Sequence, residues 1–337
     1  MKAWMVEEQK NIEGGPLKLR DVPVPEPGEK QIRVRVTHCG ICRTDLHIAE
    51  GDIPLSKRPV IPGHEIVGFV DALGSGARRF KIGDRVGVSW LNYACGKCKY
   101  CMRGEENYCP HIKRTGYDVD GGFAEYVLVH EDYAFDLRET SLPSEELAPM
   151  MCPGITGHYA FRISEIQEGE RLGMLGFGPT AYYILRVAKS MDIEVYISTR
   201  SEKHKKIAKK YGADWVGNLA HESFPKKVDA FIFFPTAGKL VERALENTLP
   251  AATLVLGAVT MTPITIENYT QNLWGRKIKT IYQVRRDYGR EFLEIANRLK
   301  IGIEKEIVRF DEVPEAMVRL KKGEIKGMVQ VIEFDAP

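Results

Sequence analysis

The sequence predicts a two-domain α/β protein in which an antiparallel β domain precedes a parallel, doubly wound sheet. Before residue 154, short runs of alternating polar and apolar residues are separated by proline and glycine turns. After residue 154, buried strands alternate with amphipathic helices. A glycine-rich turn at residues 176–181 joins the first such strand to the first such helix. A chain of 337 residues is long enough for about two cores.

The first half is predicted to form strands that carry loops. Residues 31–37 alternate between polar and apolar side chains, as a half-buried strand does. Prolines at positions 23, 25 and 27 and Gly28 mark where this strand begins. Residues 66–70 and 84–89 continue the pattern, with glycines in the turns between them. We therefore expect an antiparallel β domain.

The second half is predicted to alternate strands and helices. The helix expected at residues 180–191 places Ile184, Leu185 and Val187 on one apolar face. Such alternation is typical of a parallel sheet covered by helices on both sides. The predicted strands are residues 171–176, 194–199, 228–234 and 253–257, and a second helix is expected at residues 202–211.

Composition excludes two classes of partner. The chain has 48 basic and 46 acidic residues, a formal net charge of +2, so no large basic surface for nucleic acid is expected. No apolar run approaches the roughly 20 residues of a membrane span. Residues 1–4 show no signal-peptide pattern, and the odd number of cysteines, seven, argues against a full disulfide framework. We therefore expect a cytoplasmic protein with reduced thiols.

Four of the seven cysteines lie within fifteen residues, at a C-x2-C-x2-C-x7-C spacing that is typical of a zinc site. Two-residue gaps let a tight loop direct successive thiolates to one tetrahedral ion. Four thiolates leave no open position, so this zinc would be structural. An iron–sulfur cluster or disulfides are the alternatives. The four residues are Cys95, Cys98, Cys101 and Cys109.

A second group of metal-ligand residues is spread over the first half. Residues 39–47 contain two cysteines and His47, and Gly63, His64 and Glu65 follow. One thiolate, one imidazole and a later thiolate would hold zinc with three protein ligands. The fourth position would then be open to water or a substrate oxygen, so we expect the chemistry here.

The turn after the first strand of the second half fits a dinucleotide. Gly176, Gly178 and Ala181 form a G-x-G-x-x-A pattern, which lets the backbone and a helix N-terminus approach a pyrophosphate. At the tip of the next strand stand Thr199 and Arg200, with Lys203 beyond. Because no carboxylate precedes Glu202 there, the 2′-phosphate of NADP is favoured over NAD. The alternative is that Arg200 stacks on the adenine or points to solvent.

These motifs together resemble the zinc-dependent medium-chain alcohol dehydrogenases over essentially the whole chain. The resemblance rests on residues 39–47, residues 62–68, the cysteine quartet and residues 152–156. The turn at residues 176–181 and the Thr-Arg-Ser sequence at residues 199–201 further resemble the cinnamyl-alcohol-dehydrogenase-like branch, which generally uses NADP(H).

The resemblance implies a fold, a domain order and an assembly. Residues 1–153 would form a GroES-like distorted β-barrel catalytic domain with a structural-zinc lobe. Residues 154–294 would form the Rossmann cofactor domain, and residues 295–337 would return to the catalytic domain. Homodimers and homotetramers are usual in the family.

The resemblance also assigns the catalytic metal. It makes Cys42, His64 and Cys152 the zinc ligands, with Glu65 able to join when the substrate site is empty. Cys39 matches no ligand position in the family. With the quartet, the chain would bind two zinc ions.

Proton-transfer residues are implied as well. Asp45 resembles the carboxylate that orients the ligating histidine. In the family the alcohol proton passes to the hydroxyl matching Thr44, on to the nicotinamide ribose and out through the histidine matching His47. The alternative for His47 is a helix cap.

The remaining assignments concern the cofactor and the pocket. Arg43 resembles the family's pyrophosphate contact, and Thr156 resembles a residue beside the nicotinamide. Gly257 is a further candidate cofactor-binding residue. Trp90 occupies the place of a bulky pocket wall, although a core position is the alternative. The implied reaction is reversible hydride transfer between a primary alcohol, aliphatic or aromatic, and NADP(H). A polyol or sugar dehydrogenase and a non-catalytic NADPH-binding sensor are the alternatives.

Overall fold

The computed structural model describes residues 1–282 and 284–334 and divides them into two units. One unit comprises Met1–Ile155 together with residues 284–334. The other comprises Thr156–Tyr282. None of the helices within the described residues has the length and apolarity needed to cross a membrane.

The strands, in chain order, are β1 (Lys2–Val6), β2 (Leu17–Asp21), β3 (Gln31–Ile41), β4 (Glu65–Leu73), β5 (Arg85–Val88), β6 (Leu91–Tyr93), β7 (Lys113–Arg114), β8 (Tyr126–His130), β9 (Phe135–Asp136), β10 (Arg171–Leu175), β11 (Glu194–Ser198), β12 (Trp215–Gly217), β13 (Val228–Phe233), β14 (Thr248–Leu256), β15 (Lys277–Thr280), β16 (Lys305–Arg309) and β17 (Val329–Glu333).

The α-helices are α1 (Arg43–Glu50), α2 (Ser144–Leu147), α3 (Pro153–Ile163), α4 (Pro179–Lys189), α5 (Glu202–Lys210), α6 (Leu240–Glu246), α7 (Tyr269–Asn272), α8 (Arg286–Leu299) and α9 (Val313–Lys322).

A mainly antiparallel sheet organises the first unit. Its strand order is β16-β17-β3-β4-β5-β9, and β8 also pairs with β3. Every pair is antiparallel except β16 with β17, which is parallel. The sheet therefore confirms the predicted antiparallel β domain.

The central strand β3 is longer than the alternating pattern indicated. The pattern ends at residue 37, whereas β3 continues to Ile41 because Cys39 and Gly40 pair with β4 on one side and with β17 on the other. Residues 39–41 are all buried, so this end of the strand is covered on both faces and shows no alternation. The extension brings the chain directly to Cys42, while the partner strand β4 begins at Glu65.

The second unit is the predicted doubly wound fold. All strands of its sheet are parallel, in the order β12-β11-β10-β13-β14-β15. The direction of winding reverses between β10 and β13, and ligands of such sheets bind at the carboxyl ends of the strands at this point. The predicted helices at residues 180–191 and 202–211 are α4 and α5.

Strand β14 begins five residues before its predicted start at residue 253. Pro250 and Ala251 interrupt the apolar pattern, and Ala251 has a φ of 66°. The register with β13 shifts between the pairs Val228↔Thr248 and Ala230↔Thr253. A β-bulge here lets the strand continue through residues that the pattern marks as a turn.

The division of the chain differs from the predicted domain boundaries. The first boundary falls within α3, after Ile155 rather than after residue 153, and the chain returns to the first unit before α8 rather than at residue 295. Helix α8 packs on the first unit, since a Cβ at Gly289 would lie 2.6 Å from the ring of Phe135. Residues 335–337 of the predicted return lie outside the described residues.

Candidate active site

The N-terminus of α1 forms one side of the first candidate metal site. Cys42 stands between β3 and α1, at the N-cap of the helix. The buried Asp45 carboxylate accepts hydrogen bonds from the backbone N–H of Cys42 at 2.9 Å and from the N–H of Gly63 at 3.0 Å. A carboxylate in the first turn also stabilises the positive end of the helix dipole. Asp45 therefore holds the segments that carry Cys42 and His64 together.

His64 and Glu65 enter the site from the start of β4. Gly63, which precedes them, has a φ of 97°, and a Cβ there would lie 2.8 Å from the backbone N of Phe123. Only glycine fits this turn without strain. Both side chains are buried, with exposed fractions of 1% for His64 and 3% for Glu65.

These residues and Cys152 bring four possible ligand atoms together. One ligand atom from each of Cys42, His64, Glu65 and Cys152 lies within 4.8 Å of the others. The sulfur atoms of Cys42 and Cys152 are 4.0 Å apart. Two thiolates on one tetrahedral zinc lie about 3.8 Å apart, so the geometry fits this ion. The His64 Nδ1 atom is 3.1 Å from Asp45 Oδ1, which leaves Nε2 for a metal.

The buried ionisable groups of this site perturb one another. The hydrogen bond from Cys152 lowers the pKa of Cys42 well below its ordinary value and raises the pKa of Cys152. Burial raises the pKa of Glu65, as does the nearby Cys42. Burial opposes a charged His64, but the Asp45 carboxylate outweighs this effect, so the pKa of His64 is raised. These ionisable side chains compete for protons and are all possible metal ligands. A divalent cation suits them, because its charge favours the deprotonated form of each.

The cysteine quartet forms a second ligand set in the same unit. The four sulfur atoms lie within 4.8 Å of one another. Cys98 and Cys101 are 3.5 Å apart, as are Cys95 and Cys109. The backbone N–H of Cys95 and that of His111 each donate to Cys109 Sγ at 3.4 Å. These distances also fit a tetrahedral zinc, and no ligand position would be left open.

The predicted proton-transfer residues lie on α1. Thr44 is half-buried in the first turn, and His47 follows three residues later on the same side of the helix. The His47 Nδ1 atom lies 2.7 Å from Asp52 Oδ2, a partner that the sequence analysis missed. Arg43, the predicted pyrophosphate contact, is exposed at the start of α1.

Trp90 lies directly beside the first ligand set. Its ring meets the His64 ring edge to face, with centroids 5.0 Å apart and an interplanar angle of 78°. The side chain is half-buried rather than enclosed in the core. This position is compatible with the predicted role as a wall of the pocket.

The dinucleotide-type turn of the second unit joins β10 to α4. Gly176 has a φ of 89°, which favours glycine. Gly178 is the N-cap of α4, and a Cβ at this position would meet no atom within 4 Å. Ala181 is fully buried in the first turn. The turn therefore leaves open space in front of a helix N-terminus, where amide N–H groups can meet a phosphate.

The end of β11 carries the residues that were predicted to select the cofactor. Thr199 is buried, and its Oγ1 accepts the N–H of Ser201 at 3.4 Å. Arg200 and Lys203 are both exposed. The nearby Glu202 forms an ion pair with Lys205 at 2.8 Å. Its carboxylate is therefore engaged within α5.

Two further predicted cofactor residues belong to the second unit. Thr156 is half-buried in α3. A Cβ at Gly257 would lie 3.0 Å from the ring of Phe234, so close packing at the end of β14 favours a small residue.

Gly40 is a site residue that the sequence analysis missed. It pairs with Glu65 across β3 and β4. A Cβ at Gly40 would lie 2.0 Å from Glu65 Oε2 and 2.9 Å from Glu65 Cβ. The glycine therefore leaves the space that the Glu65 carboxylate occupies. No motif marks it, because the requirement arises from strand pairing.

A GroES-like β domain with two metal-type ligand sets, joined to a Rossmann unit, defines the medium-chain dehydrogenase class. Residues 28–139 match the alcohol dehydrogenase GroES-like domain. A probable alcohol dehydrogenase, AdhA, of Mycobacterium tuberculosis is 38% identical over 97% of this chain and 96% of its own length. An alcohol dehydrogenase of Geobacillus stearothermophilus is 36% identical over 98% of both chains.

Solved structures agree with the sequence comparison. A cinnamyl alcohol dehydrogenase, SbCAD4, from Sorghum bicolor superposes with a TM-score of 0.86 at 26% identity, covering 98% of this chain and 97% of its own. The chain therefore belongs to the zinc-dependent medium-chain alcohol dehydrogenase family.

Proposed function

We propose that this protein catalyses reversible hydride transfer between a primary alcohol, aliphatic or aromatic, and NADP(H). The observation that carries the proposal is the convergence of Cys42, His64, Glu65 and Cys152, whose ligand atoms lie within 4.8 Å of one another. Two thiolates, one imidazole and one carboxylate are a ligand set that zinc accepts. The alcohol dehydrogenase relatives support the reaction type.

A zinc ion held there would act as a Lewis acid on the substrate oxygen, and the nicotinamide would exchange the hydride. Asp45 orients His64 through the bond to Nδ1 and raises the basicity of the imidazole. The Glu65 carboxylate would supply a fourth ligand when no substrate occupies the position. Trp90, edge-on to His64, excludes water from one side of the site.

Proton transfer is proposed for two residues of α1. The Thr44 hydroxyl would accept the proton that the substrate hydroxyl loses and release its own proton toward the nicotinamide ribose, from which His47 would take it. His47 exchanges protons with solvent, since its side chain is 26% exposed and an imidazole nitrogen can both accept and release a proton. Asp52 holds the Nδ1 side of this imidazole at 2.7 Å.

The cysteine quartet is proposed to hold a second zinc with a structural role. Its four thiolates would fill the four positions of a tetrahedral ion, so no position would remain for a substrate. Homodimers or homotetramers, which are usual in the family, and a cytoplasmic location, which the residues themselves predict, stay predictions. Light scattering on the purified protein would test the assembly.

NADP(H) is favoured over NAD(H) because of the charges at the end of β11. Arg200 and Lys203 place two exposed cations there, and the carboxylate of Glu202 is paired with Lys205. Cations at this position accommodate a 2′-phosphate, whereas an acidic residue would bind the ribose hydroxyls of NAD.

The test is a panel of substrates assayed with both cofactors. Ethanol, benzyl alcohol, sorbitol and glucose are oxidised with NADP⁺ or NAD⁺, and acetaldehyde and benzaldehyde are reduced. We expect turnover of the primary alcohols and their aldehydes, with NADP(H) preferred. Faster turnover of sorbitol or glucose would indicate a polyol or sugar dehydrogenase. No turnover by zinc-loaded protein that binds NADPH tightly would contradict the proposal and indicate a non-catalytic sensor.

A paired variant tests the role of Thr44. Thr44→Val keeps the shape of the side chain but removes the hydroxyl, so kcat should fall by roughly 100-fold or more while zinc is retained. Thr37→Val is the control, since it removes a hydroxyl that donates to the Val67 carbonyl in the same unit. Equal activities of the two variants would exclude Thr44 from proton transfer.

A further inference from the structure

We propose that Tyr117 is a positioning residue that determines which alcohols fit beside the catalytic metal, because it fixes the orientation of Trp90. The inference rests on the proposed alcohol dehydrogenase function and extends it to the substrate class. It predicts a site that discriminates against alcohols branched near the hydroxyl-bearing carbon and that loses this discrimination when Tyr117 is removed.

Trp90 makes two ring contacts that fix its position. One contact is the edge-on approach to His64, with centroids 5.0 Å apart. The other is a stack with Tyr117, with centroids 5.9 Å apart and an interplanar angle of 22°. Trp90 therefore lies between a proposed zinc ligand and Tyr117, and a movement of Tyr117 would change the space beside that ligand.

Tyr117 is itself held at its hydroxyl and at its ring. The hydroxyl donates a hydrogen bond to the Pro54 carbonyl at 2.8 Å. The Arg114 guanidinium lies 4.4 Å from the ring centroid, within the range of a cation–π interaction. Tyr117 thus has three partners that restrict the ring, counting Trp90.

Arg114 and its partner Asp118 are also fixed. The guanidinium forms a bidentate pair with the Asp118 carboxylate, with N–O distances of 2.5 and 2.9 Å. Asp118 additionally accepts a hydrogen bond from the Ser56 hydroxyl at 2.6 Å. A bidentate pair restricts geometry more than a single ionic contact, so the cation stays over the ring.

The contacts of Pro54 and Ser56 join two loops, residues 51–62 and residues 114–121, which we name the paired loops. Two further bonds connect them: Asp120 Oδ1 accepts from the Lys57 Nζ atom at 2.6 Å, and Gly121 N–H donates to the Ile61 carbonyl at 2.7 Å. Residues 114–121 are thus supported along their length, and Tyr117 presents a fixed surface to Trp90.

The consequence for specificity follows from the position of Trp90. A substrate whose oxygen lies beside His64 would place its carbon chain near the indole ring, because the two ring centroids are 5.0 Å apart. A fixed indole limits the width available there, whereas an indole without its stacking partner can tilt into the space that Tyr117 vacates. The fixed arrangement therefore favours ethanol and other unbranched alcohols over branched ones. Small differences in the fit of apolar groups change selectivity by roughly 10-fold to 200-fold.

The test compares kcat/KM for 2-methyl-1-propanol and for ethanol, measured with the zinc-loaded enzyme and NADP⁺. Tyr117→Leu should raise the ratio of the two values by roughly tenfold, mainly through a lower KM for the branched alcohol. Tyr117→Phe keeps the stack and should restore a ratio within about twofold of the original. Arg114→Met is a second variant in case Tyr117→Leu does not fold. It should shift the ratio in the same direction by a smaller factor, about threefold.

A matched control separates this role from a general loss of packing. Tyr126→Leu removes a tyrosine that lies under the guanidinium of Arg33, at 5.5 Å, rather than against Trp90. The ratio of the kcat/KM values for the two alcohols should not change in Tyr126→Leu. Zinc content should be the same in all variants. An unchanged ratio in Tyr117→Leu, or an equal change in Tyr126→Leu, would overturn the proposal.

A second measurement distinguishes failure of this inference from failure of the proposed function. The tryptophan bands at the long-wavelength end of the near-UV circular dichroism spectrum, where tyrosine does not absorb, should differ between Tyr117→Leu and the original protein. The difference should disappear when both proteins carry Trp90→Phe. A difference that depends on Trp90 shows that Tyr117 and Trp90 are coupled. If no alcohol is oxidised but this coupling is found, the proposed function fails and the positioning of Trp90 stands. If alcohols are oxidised and the coupling is absent, Tyr117 does not position Trp90.

Discussion

Asp45 Oδ1 accepts a hydrogen bond from His64 Nδ1 at 3.1 Å, and both side chains are almost completely buried. The same carboxylate accepts the N–H groups of Cys42 and Gly63. One residue therefore orients two proposed zinc ligands, one by its side chain and one by its backbone. Because the carboxylate is buried, water does not weaken its electrostatic interactions, and removal of its charge would affect both ligands strongly.

Asp45→Asn is expected to lower the affinity for the catalytic zinc by roughly 10-fold to 100-fold. An amide has one acceptor oxygen, so its NH₂ group would face either the Cys42 N–H or the His64 and Gly63 donors. A buried donor left without an acceptor costs about 1–3 kcal/mol. Competition with a chelator measures the zinc affinity, and Asp71→Asn, at a carboxylate paired with Arg33, serves as the control. Equal affinities in the two variants would show that Asp45 does not support the metal.

Gly40→Ala is expected to displace the Glu65 carboxylate and to destabilise the first unit by about 1–3 kcal/mol. The added Cβ would lie 2.9 Å from Glu65 Cβ, close to where the side chain is attached, so rotation of the carboxylate alone does not relieve the overlap. Chemical denaturation measures the free energy of unfolding. Gly14→Ala is the control, because its Cβ would meet only the flexible Lys10 side chain, at 3.6 Å or more. Equal stability of the two variants would contradict the proposed crowding.

Arg200→Glu is expected to shift the preference of the enzyme from NADP(H) toward NAD(H). A carboxylate at the end of β11 repels the 2′-phosphate and can accept hydrogen bonds from ribose hydroxyls. We expect the ratio of kcat/KM for NADPH to that for NADH to fall by roughly tenfold or more. Lys209→Glu makes the same charge change in the last turn of α5 and should leave the ratio nearly unchanged. If wild-type protein already prefers NADH tenfold, the interpretation of Thr199 and Arg200 is wrong.

Glu165 gives the second unit a pH-dependent contribution to stability. Its carboxylate forms ion pairs with Lys277 at 2.5 Å and with Lys279 at 2.6 Å, and these hydrogen bonds lower its pKa from 4.5 to about 2. Because the pKa is lower in the folded state, the stabilisation is present above pH 4.5 and is lost as the pH falls toward 2.

Glu165→Gln should therefore destabilise the protein at pH 7 by at most about 1 kcal/mol, since the Glu165 side chain is 47% exposed and solvent screens the pairs. The difference from wild type should narrow as the pH is lowered below 4.5. Urea denaturation at several pH values measures it. A stability difference that stays constant or grows as the pH falls would contradict the prediction.

The sequence predicted the strands and helices that show a clear period, and the spacing of the cysteine quartet predicted one of the two ligand sets. Thus α4 and α5 lie within two residues of their predicted ends, and Cys42, His64 and Cys152 come together although 110 residues separate the two cysteines. The family resemblance supplied this last association, because no spacing rule connects residues so far apart.

The features that could not be predicted depend on tertiary neighbours. Gly40 is required by the side chain opposite it in β4, and the stack of Tyr117 on Trp90 depends on how the paired loops meet. The first part of β14 was not predicted, because the bulge at Ala251 interrupts the run of apolar residues. The chain returns to the first unit before α8, earlier than the predicted residue 295. The sequence does not show this, because the pattern of an amphipathic helix indicates which face is buried but not which unit buries it.

The most direct test of the account measures zinc content and benzyl alcohol oxidation in the same samples of wild type, Cys42→Ser, Cys98→Ser and Cys39→Ala. We expect about two zinc ions per chain and full turnover in wild type and in Cys39→Ala. Cys42→Ser should keep one zinc and lose turnover, whereas Cys98→Ser should lose the other zinc and unfold more readily before its chemistry declines. A Cys42→Ser variant that keeps both zinc ions and its turnover would contradict the assignment of the catalytic site.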